Sequence, residues 1–259
     1  AGQDATAASP ALSRWRFGVE RMDAALGGGL ARGQVHEIYA AEDGDAAAAA
    51  GFAMAVLTGL SAGLSVGGDG RSRSILWLRS AAAARRGGVL QAQGWADLGG
   101  RPQDTVFGVL PDELALLRAA LDAVRSGTLA AVLVEHWGAM RAMDLTASRR
   151  FVLAAEATGT TPLFLHVAAD AGASAAQTRW SIAAAPSSAL PGKAPGAPVF
   201  DVELTRQRAG PSGLTWRLEW DREQGIFRDA ALSGDTLPVP ARTAGAGAGT
   251  GPDSIRRVA

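Results

Sequence analysis

The sequence contains no cysteine, and Lys193 is the one lysine among its 259 residues, which also include three histidines. The absence of cysteine excludes a disulfide framework, a thiol nucleophile and a thiolate metal site. The histidines are not placed at a metal-ligand spacing. Arginine therefore carries nearly all the positive charge, and the abundance of alanine and glycine points to a GC-rich genome as the reason.

Charge of one sign is not in excess, because 25 Lys and Arg residues balance 25 Asp and Glu residues. This argues against a protein that mainly neutralises nucleic-acid phosphates, although it leaves room for a local basic patch. There is no run of about 18 apolar residues, so no membrane-spanning helix is expected. The opening AGQDATAASP is small and polar, unlike a secretory signal. The default expectation is a cytoplasmic protein.

The region from Leu26 to Leu60 organises the chain. It reads as a glycine-rich turn, a strand at 35–39, a loop at 40–47 and a helix at about 48–60. A P-loop has this arrangement, in which backbone amides and a helix N-terminus bind phosphates. The sequence therefore predicts the frame of a nucleotide-binding fold.

The loop itself has lost the phosphate-binding residues. A working P-loop reads G-x-x-x-x-G-K-S/T, and its glycines, its lysine and its hydroxyl are all missing here. Three carboxylates lie where a triphosphate would be, and close like charges repel. We therefore predict a degenerate P-loop and no cofactor. The residues in its eight positions are Ala40, Ala41, Glu42, Asp43, Gly44, Asp45, Ala46 and Ala47.

Beyond the loop, apolar strands alternate with helices. Continuous apolar runs are typical of strands that are buried on both faces of a parallel sheet, so the pattern predicts a doubly wound, mostly parallel α/β sheet. The predicted strands are 75–78, 105–109, 129–134 and 161–167. The predicted helices are 81–94 (interrupted by Gly87 and Gly88), 112–126 with Leu114, Leu117, Leu121 and Val124 at helical spacing, and 144–158.

The last part of the core has a different pattern. Strands are predicted at 179–184, 199–205 and 214–220 with no helix between them, and the last two alternate apolar and polar residues. They form a C-terminal antiparallel hairpin, whose last strand we expect at the sheet edge. The predicted organisation is a disordered segment at 1–13, one core at 14–230 and a flexible Gly/Pro/Ala-rich tail at 231–259.

Several phrases resemble known families. The run from Phe17, FGVERMDAALGGGLARGQVHEIY, resembles the start of the RecA recombinase core. Together with AAVLVEHWG, DLTASRRFVLAAEATG, TRWSIAAAPS and VELTRQRAGPSGLTWRLEWD, it is similar to the ImuA family, the RecA-like accessory proteins of bacterial mutagenic translesion synthesis. The resemblance implies a RecA-like core and a role in DNA-damage-induced mutagenesis. It also implies a partner, ImuB, an inactive relative of Y-family polymerases that links to an error-prone polymerase.

Two other functions stay open. A SulA-like inhibitor of cell division would be a RecA-related non-enzyme that binds FtsZ. A RecA-type ATPase or DNA-binding recombinase paralogue would need a phosphate-binding lysine, for which Lys193 in a proline-rich loop is a poor substitute. The loop after His166 lacks basic residues where RecA carries a DNA-binding loop, so we expect weak or indirect DNA binding. We expect no membrane contact, and self-association is left open.

The candidate site residues fall in three groups. Glu135 ends a strand where RecA-like ATPases place an acid near Mg²⁺, and the alternative is an ordinary carboxylate. His36, His136 and His166 are expected to be core or rim residues. A partner surface is predicted on the hairpin and in a short motif of the tail, with solvated arginines and a frayed tail as the alternatives. Its residues are Arg206, Arg208, Trp216, Ile255, Arg256, Arg257 and Val258.

Overall fold

The computed structural model describes residues 13–62, 73–194 and 196–230. The predicted tail at 231–259 lies outside these ranges, with its motif Ile255, Arg256, Arg257 and Val258. Of the predicted disordered segment at 1–13, residues 1–12 also lie outside them. Those predictions stay untested, and the fold is described for the three ranges alone.

Most of the described chain forms strands and helices. The strands are β1 (Arg14–Trp15), β2 (Leu30–Ala31), β3 (His36–Ala40), β4 (Ile75–Ser80), β5 (Thr105–Leu110), β6 (Ala131–Trp137), β7 (Thr161–Val167), β8 (Thr178–Ala184), β9 (Val199–Gln207), β10 (Leu214–Asp221) and β11 (Ile226–Asp229). The helices are α1 (Glu20–Ala25), α2 (Ala46–Ser61), α3 (Ala81–Gly87), α4 (Ala92–Asp97), α5 (Glu113–Arg125) and α6 (Leu145–Thr158). Single 3-10 turns cover Asp43–Asp45, Pro102–Asp104 and Pro191–Lys193.

Nine strands form one sheet in the order β11-β10-β9-β8-β3-β7-β6-β4-β5. The pairs from β8 through β3, β7, β6 and β4 to β5 are all parallel, whereas β8, β9, β10 and β11 pair antiparallel. The prediction of a mostly parallel, doubly wound sheet with an antiparallel C-terminal hairpin is confirmed.

The sheet separates two apolar clusters. On one face α2 packs with many aromatic rings, among them Phe52, Trp180 and Phe227. On the other face α5 and α6 cover β6 and β7 through residues such as Leu116, Phe151 and Phe164. Because both faces are covered, β7 is buried along its whole length, which explains its continuous apolar sequence.

The helix boundaries follow local chemistry. Asp112 and Asp144 accept a hydrogen bond from the backbone N–H three residues on, as N-cap residues do. Gly159 ends α6 in the left-handed conformation, where glycine has no steric penalty. The predicted apolar stripe of α5 was partly wrong, because Leu114 is exposed and the buried face runs through Leu116, Leu117, Ala120 and Val124. The predicted stripe therefore started at Leu114, before the buried face of the helix begins at Leu116.

The end of the core also differs from the prediction. β9 and β10 form the expected hairpin, but β10 is not at the edge because β11 pairs with it. β11 has four residues, of which Phe227 alone is buried. It therefore lacks the alternation of apolar and polar residues that predicts a strand. The edges of the described sheet are therefore β11 and β5.

The segment Asp43–Ser61 is long and apolar enough to cross a membrane by length and composition alone. In the fold it is the central helix of the core. Phe52, Leu57 and Leu60 are fully buried against the sheet, and α2 contacts β3, β7 and β8. Its apolar composition is accounted for by this packing.

The relict nucleotide cleft

The degenerate loop is closed by its own acidic side chains. Asp45 is 1% exposed, and its carboxylate accepts hydrogen bonds from the backbone N–H of Ala184 (3.0 Å) and of Glu42 (3.3 Å). The Glu42 carboxylate accepts the Asp45 backbone N–H in return. In a P-loop such amides point at phosphate. Here protein carboxylates accept the N–H groups of Glu42 and Asp45, and Asp45 also ties the loop to Ala184 on β8.

The position of Asp45 refines the prediction of three repelling carboxylates. Asp43 and Glu42 are exposed to water, whereas Asp45 points away from them into the fold. Ala46 and Ala47, in the positions of the lysine and the hydroxyl, form the first turn of α2. The helix begins two residues earlier than predicted, and its first turn presents methyl groups instead of phosphate ligands.

Glu135 lies at the carboxyl end of β6 and is almost fully buried. It accepts hydrogen bonds from Arg79 (2.8 Å), Trp77 (3.0 Å) and Trp137 (3.2 Å). Arg79 lies opposite it on β4 and donates further to the carbonyl oxygens of Ala83 and Gly88. The Glu135 carboxylate therefore forms a buried ion pair with Arg79 and also accepts hydrogen bonds from two indole N–H groups. This arrangement matches the ordinary structural carboxylate, and the metal role stays a prediction without support here.

A cleft of about 930 Å³ lies between the relict loop, α2, α3 and the ends of β4 and β6. Much of its wall is apolar, including Met54, Trp77, Leu90, Leu98 and Trp137. Its charged lining residues are Asp43, Arg79, Arg86 and Glu135, of which Arg79 and Glu135 neutralise each other. Within the described ranges no three His, Asp or Glu side chains are grouped to hold a metal ion. The cleft suits an apolar or aromatic group better than Mg²⁺ and a triphosphate.

His36 has a local structural role, as predicted. Its Nε2 lies 2.8 Å from the Ala31 carbonyl oxygen and its Nδ1 lies 2.7 Å from the Thr178 hydroxyl. A carbonyl can only accept, so Nε2 carries the proton and Nδ1 accepts from Thr178. Trp180 donates to the same hydroxyl. Burial lowers the pKa of His36 to about 4, so the ring is neutral.

His136 and His166 lie side by side on β6 and β7. The His166 ring stacks on Tyr39 at 4.5 Å between centroids, and burial lowers its pKa to about 3. Burial also lowers the pKa of His136. Within the described part of the chain, Nε2 of His166 and Nδ1 of His136 have no hydrogen-bond partner. Both rings are core or rim residues, as expected.

A buried ion pair near these histidines was missed from the sequence. Glu37 on β3 and Arg179 on β8 lie 2.8 Å apart, and Arg179 also lies over the Tyr39 ring. Together with His166 and Ser174, residues Glu37 and Tyr39 line a cavity of about 130 Å³. Glu37 and Arg179 are 142 positions apart in the sequence. Their proximity follows from the strand order, so no local sequence pattern predicts it.

Hydrogen bonds hold Arg206 of the predicted partner surface and a further hairpin arginine, Arg217. Arg217 makes a bidentate pair with Asp201 at 2.7 and 2.8 Å, which raises the pKa of Arg217. Arg206 donates to the Ser174 carbonyl oxygen, and Arg208 is exposed. Trp216 is 6% exposed and packs in the core, so it offers a partner little surface. A shallow groove of about 710 Å³ runs over this face of β8, β9 and β10.

Fold and cleft together define an α/β protein with a mostly parallel sheet, in which the loop between β3 and α2 is closed by its own carboxylates. No protein-family model matches the chain. It is 33% identical over 219 residues to Protein ImuA of Caulobacter vibrioides strain NA1000 / CB15N, covering 79% of this chain and 82% of that protein. The same values hold for Protein ImuA of strain ATCC 19089 / CIP 103742 / CB 15. The chain belongs to the ImuA family.

Among solved structures, the crystal structure of the RadB recombinase is similar to the chain. Its TM-score is 0.49 and its sequence identity is 12%, and the match covers 84% of this chain and 100% of the RadB chain.

Proposed function

We propose that this protein is a non-catalytic accessory protein of DNA-damage-induced mutagenesis that binds an ImuB-type relative of Y-family polymerases. Through that partner it would contribute to translesion synthesis by an error-prone polymerase. Membership of the ImuA family supports this role. The single observation that carries its non-catalytic part is the buried Asp45 carboxylate, which accepts the backbone N–H of Glu42 in the loop and that of Ala184 on β8.

Phosphoryl transfer depends on positioning and on charge stabilisation by a lysine, a magnesium ion and backbone amides. The positions of the lysine and the magnesium-binding hydroxyl are Ala46 and Ala47. The acid that remains, Glu135, is held by Arg79 and two tryptophans. An incoming phosphate would have to displace protein carboxylates from protein donors and would meet no compensating cation in the loop.

The partner surface is proposed on the C-terminal part of the core, where β8, β9 and β10 leave one face uncovered by a helix over the groove. Ala230, the last described residue, lines this groove, and Arg208, just after β9, is exposed. A motif carried on a tail beyond Ala230 would gain from a high effective concentration next to this face. DNA contact is proposed to be weak or indirect, because the chain has no net charge and Asp201 pairs with Arg217 on this face.

A competitive capture experiment tests the proposed partner. The tagged full chain is offered an ImuB-type protein and FtsZ at equal concentration. We expect capture of the ImuB-type protein, reduced when residues 237–259 are removed, while the circular dichroism spectrum stays unchanged. Capture of FtsZ in its place would favour the SulA-like alternative, and capture of neither would reject the proposal.

A further inference from the structure

The outer edge of β5 lacks the usual protection of an edge strand. β5 is the last strand of the sheet, and no strand within the described ranges pairs with its outer side. Its six residues, TVFGVL, include no charged residue and no proline. Natural edge strands are normally blunted by such residues or by bulges, because their free N–H and C=O groups invite pairing. The opposite edge, β11, is shorter and exposes Arg228 and Asp229.

The edge also exposes large apolar side chains. Val106, Phe107 and Val109 are 57%, 45% and 59% exposed. A fourth exposed apolar residue, Leu114, lies in the first turn of α5, which follows β5 and packs next to it. Single exposed apolar residues are normal on a protein surface, whereas a group of them along an unpaired edge marks a binding surface.

We propose that a second copy of this chain pairs with β5, antiparallel, across a two-fold axis at Gly108. Residues opposite each other in an antiparallel pair point to the same face. In this register Val106 lies opposite the partner's Leu110, and Phe107 lies opposite the partner's Val109. The pairs from Val106 to Leu110 are then all apolar, and the two glycines meet at the axis. Thr105 lies opposite the partner's Pro111, where the pairing ends. The sequence of β5 is self-complementary in this register.

Gly108 is the one residue of β5 above which a neighbouring side chain takes the space of a Cβ. A Cβ on Gly108 would lie 2.8 Å from Leu78 Cδ2, so the Leu78 side chain of β4 covers this position on the α5 face of the sheet. Val106, Gly108 and Leu110 lie on the α5 face of the sheet, and Phe107, which contacts Trp77, lies on the face of α2.

The surface that β5 offers sets the strength of the dimer. It consists of six residues, three of which expose large apolar side chains, whereas a standard interface has about 20–30 residues on each side. A standard stable interface buries about 1,200–2,000 Å². The expected dimer is therefore weak and depends on concentration.

Sedimentation equilibrium of the full chain from about 1 μM to about 300 μM measures the association directly. We expect a monomer–dimer equilibrium for the natural chain, and at least a tenfold weaker association for Val109→Lys. The matched control is Leu153→Lys, because Leu153 is 67% exposed on α6, away from this edge. It should associate like the natural chain. A natural chain that stays monomeric at the highest concentration, or equal association of all three, would overturn the proposal.

Cross-linking tests the register independently, because the chain has no cysteine of its own. The double variant Val106→Cys with Leu110→Cys places each thiol opposite its partner's. Within one strand the two thiols are about 13 Å apart, too far for an internal disulfide. Mild oxidation should give a covalent dimer with the double variant and at least tenfold less with Val106→Cys alone, both folded by circular dichroism. Equal yields would overturn the register. Binding of an extended foreign peptide to this edge by a chain that remains monomeric would replace the second copy with that partner.

Discussion

Charged residues have opposite roles in the relict cleft and in the antiparallel strands β8 to β11, called here the extension. In the cleft, Asp45 and Glu135 point inward and accept hydrogen bonds from protein donors. In the extension, Arg217 and Asp201 pair on a partly exposed sheet face, where their side chains are 38% and 43% exposed. A buried charge is costly unless it is paired, whereas an exposed pair contributes little. Asp45 and Glu135 thus act as structural groups.

The largest expected effect is the loss of the buried ion pair at the cleft. Glu135→Ala leaves Arg79 buried without its acidic partner, and breaking such a pair typically costs about 3–5 kcal/mol. Arg79 is well covered, at 11% side-chain exposure. Urea denaturation at neutral pH should therefore show a free energy of unfolding lowered by about that amount.

The matched control is Asp201→Ala, which breaks the exposed pair of the extension and should cost no more than about 1 kcal/mol. Equal losses for the two variants would contradict the contrast between the regions. Such a result would mean that Glu135 contributes no more to the free energy of unfolding than a surface acid.

The next effect depends on pH and concerns the buried histidines. In the folded protein the pKa values of His36 and His166 are lowered to about 4 and about 3 by burial, against about 6.5 in an unfolded chain. Above pH 6.5 both states are neutral and the histidines have no effect. As the pH falls below 6.5, the unfolded chain binds protons first, so stability is lost by about 1.4 kcal/mol per pH unit for each histidine.

The variant His166→Phe isolates one of these contributions. Phenylalanine keeps the ring that stacks on Tyr39 but cannot bind a proton. Tyr39, His136, Glu37 and Arg179, which surround this position, are unchanged. Between pH 7 and pH 5 the variant should lose about 2 kcal/mol less than the natural chain. Parallel stability curves in urea denaturation would show that His166 is not a buried neutral group.

A smaller effect is expected at the relict loop itself. Asp45→Ala removes the acceptor for two backbone N–H groups, and losing a capping side chain costs about 0.5–2 kcal/mol. Asp43→Ala, two residues away and exposed, should be nearly neutral. Thermal unfolding of the two variants side by side measures the difference. If they unfold at the same temperature, Asp45 does not hold the loop closed.

Much of the fold follows from local sequence patterns. Buried parallel strands such as β7 are continuous apolar runs, and Asp112, Asp144 and Gly159 mark helix ends through side-chain and backbone preferences that act within a few residues. The loss of phosphate-binding chemistry could likewise be predicted, because a P-loop is a contiguous motif. These features need no knowledge of which strands become neighbours.

The remainder depends on contacts between distant residues. The pairs Glu37–Arg179 and Arg79–Glu135 join strands that meet only because of the strand order. The inward turn of Asp45 depends on the N–H of Ala184 on β8. β11 was missed because four residues with one buried ring give no periodic signal. The exposed edge of β5 could not be recognised until the sheet order showed that this strand is terminal.

Calorimetry with Mg-ATP tests the central claim most directly, since that claim is that the chain's own carboxylates have replaced the nucleotide. We expect no heat of binding from the full chain with ATP at millimolar concentration, which corresponds to a dissociation constant above about 1 mM. A RecA-like protein with an intact P-loop serves as the positive control. A dissociation constant in the micromolar range would show that the cleft still binds nucleotide and would contradict this account.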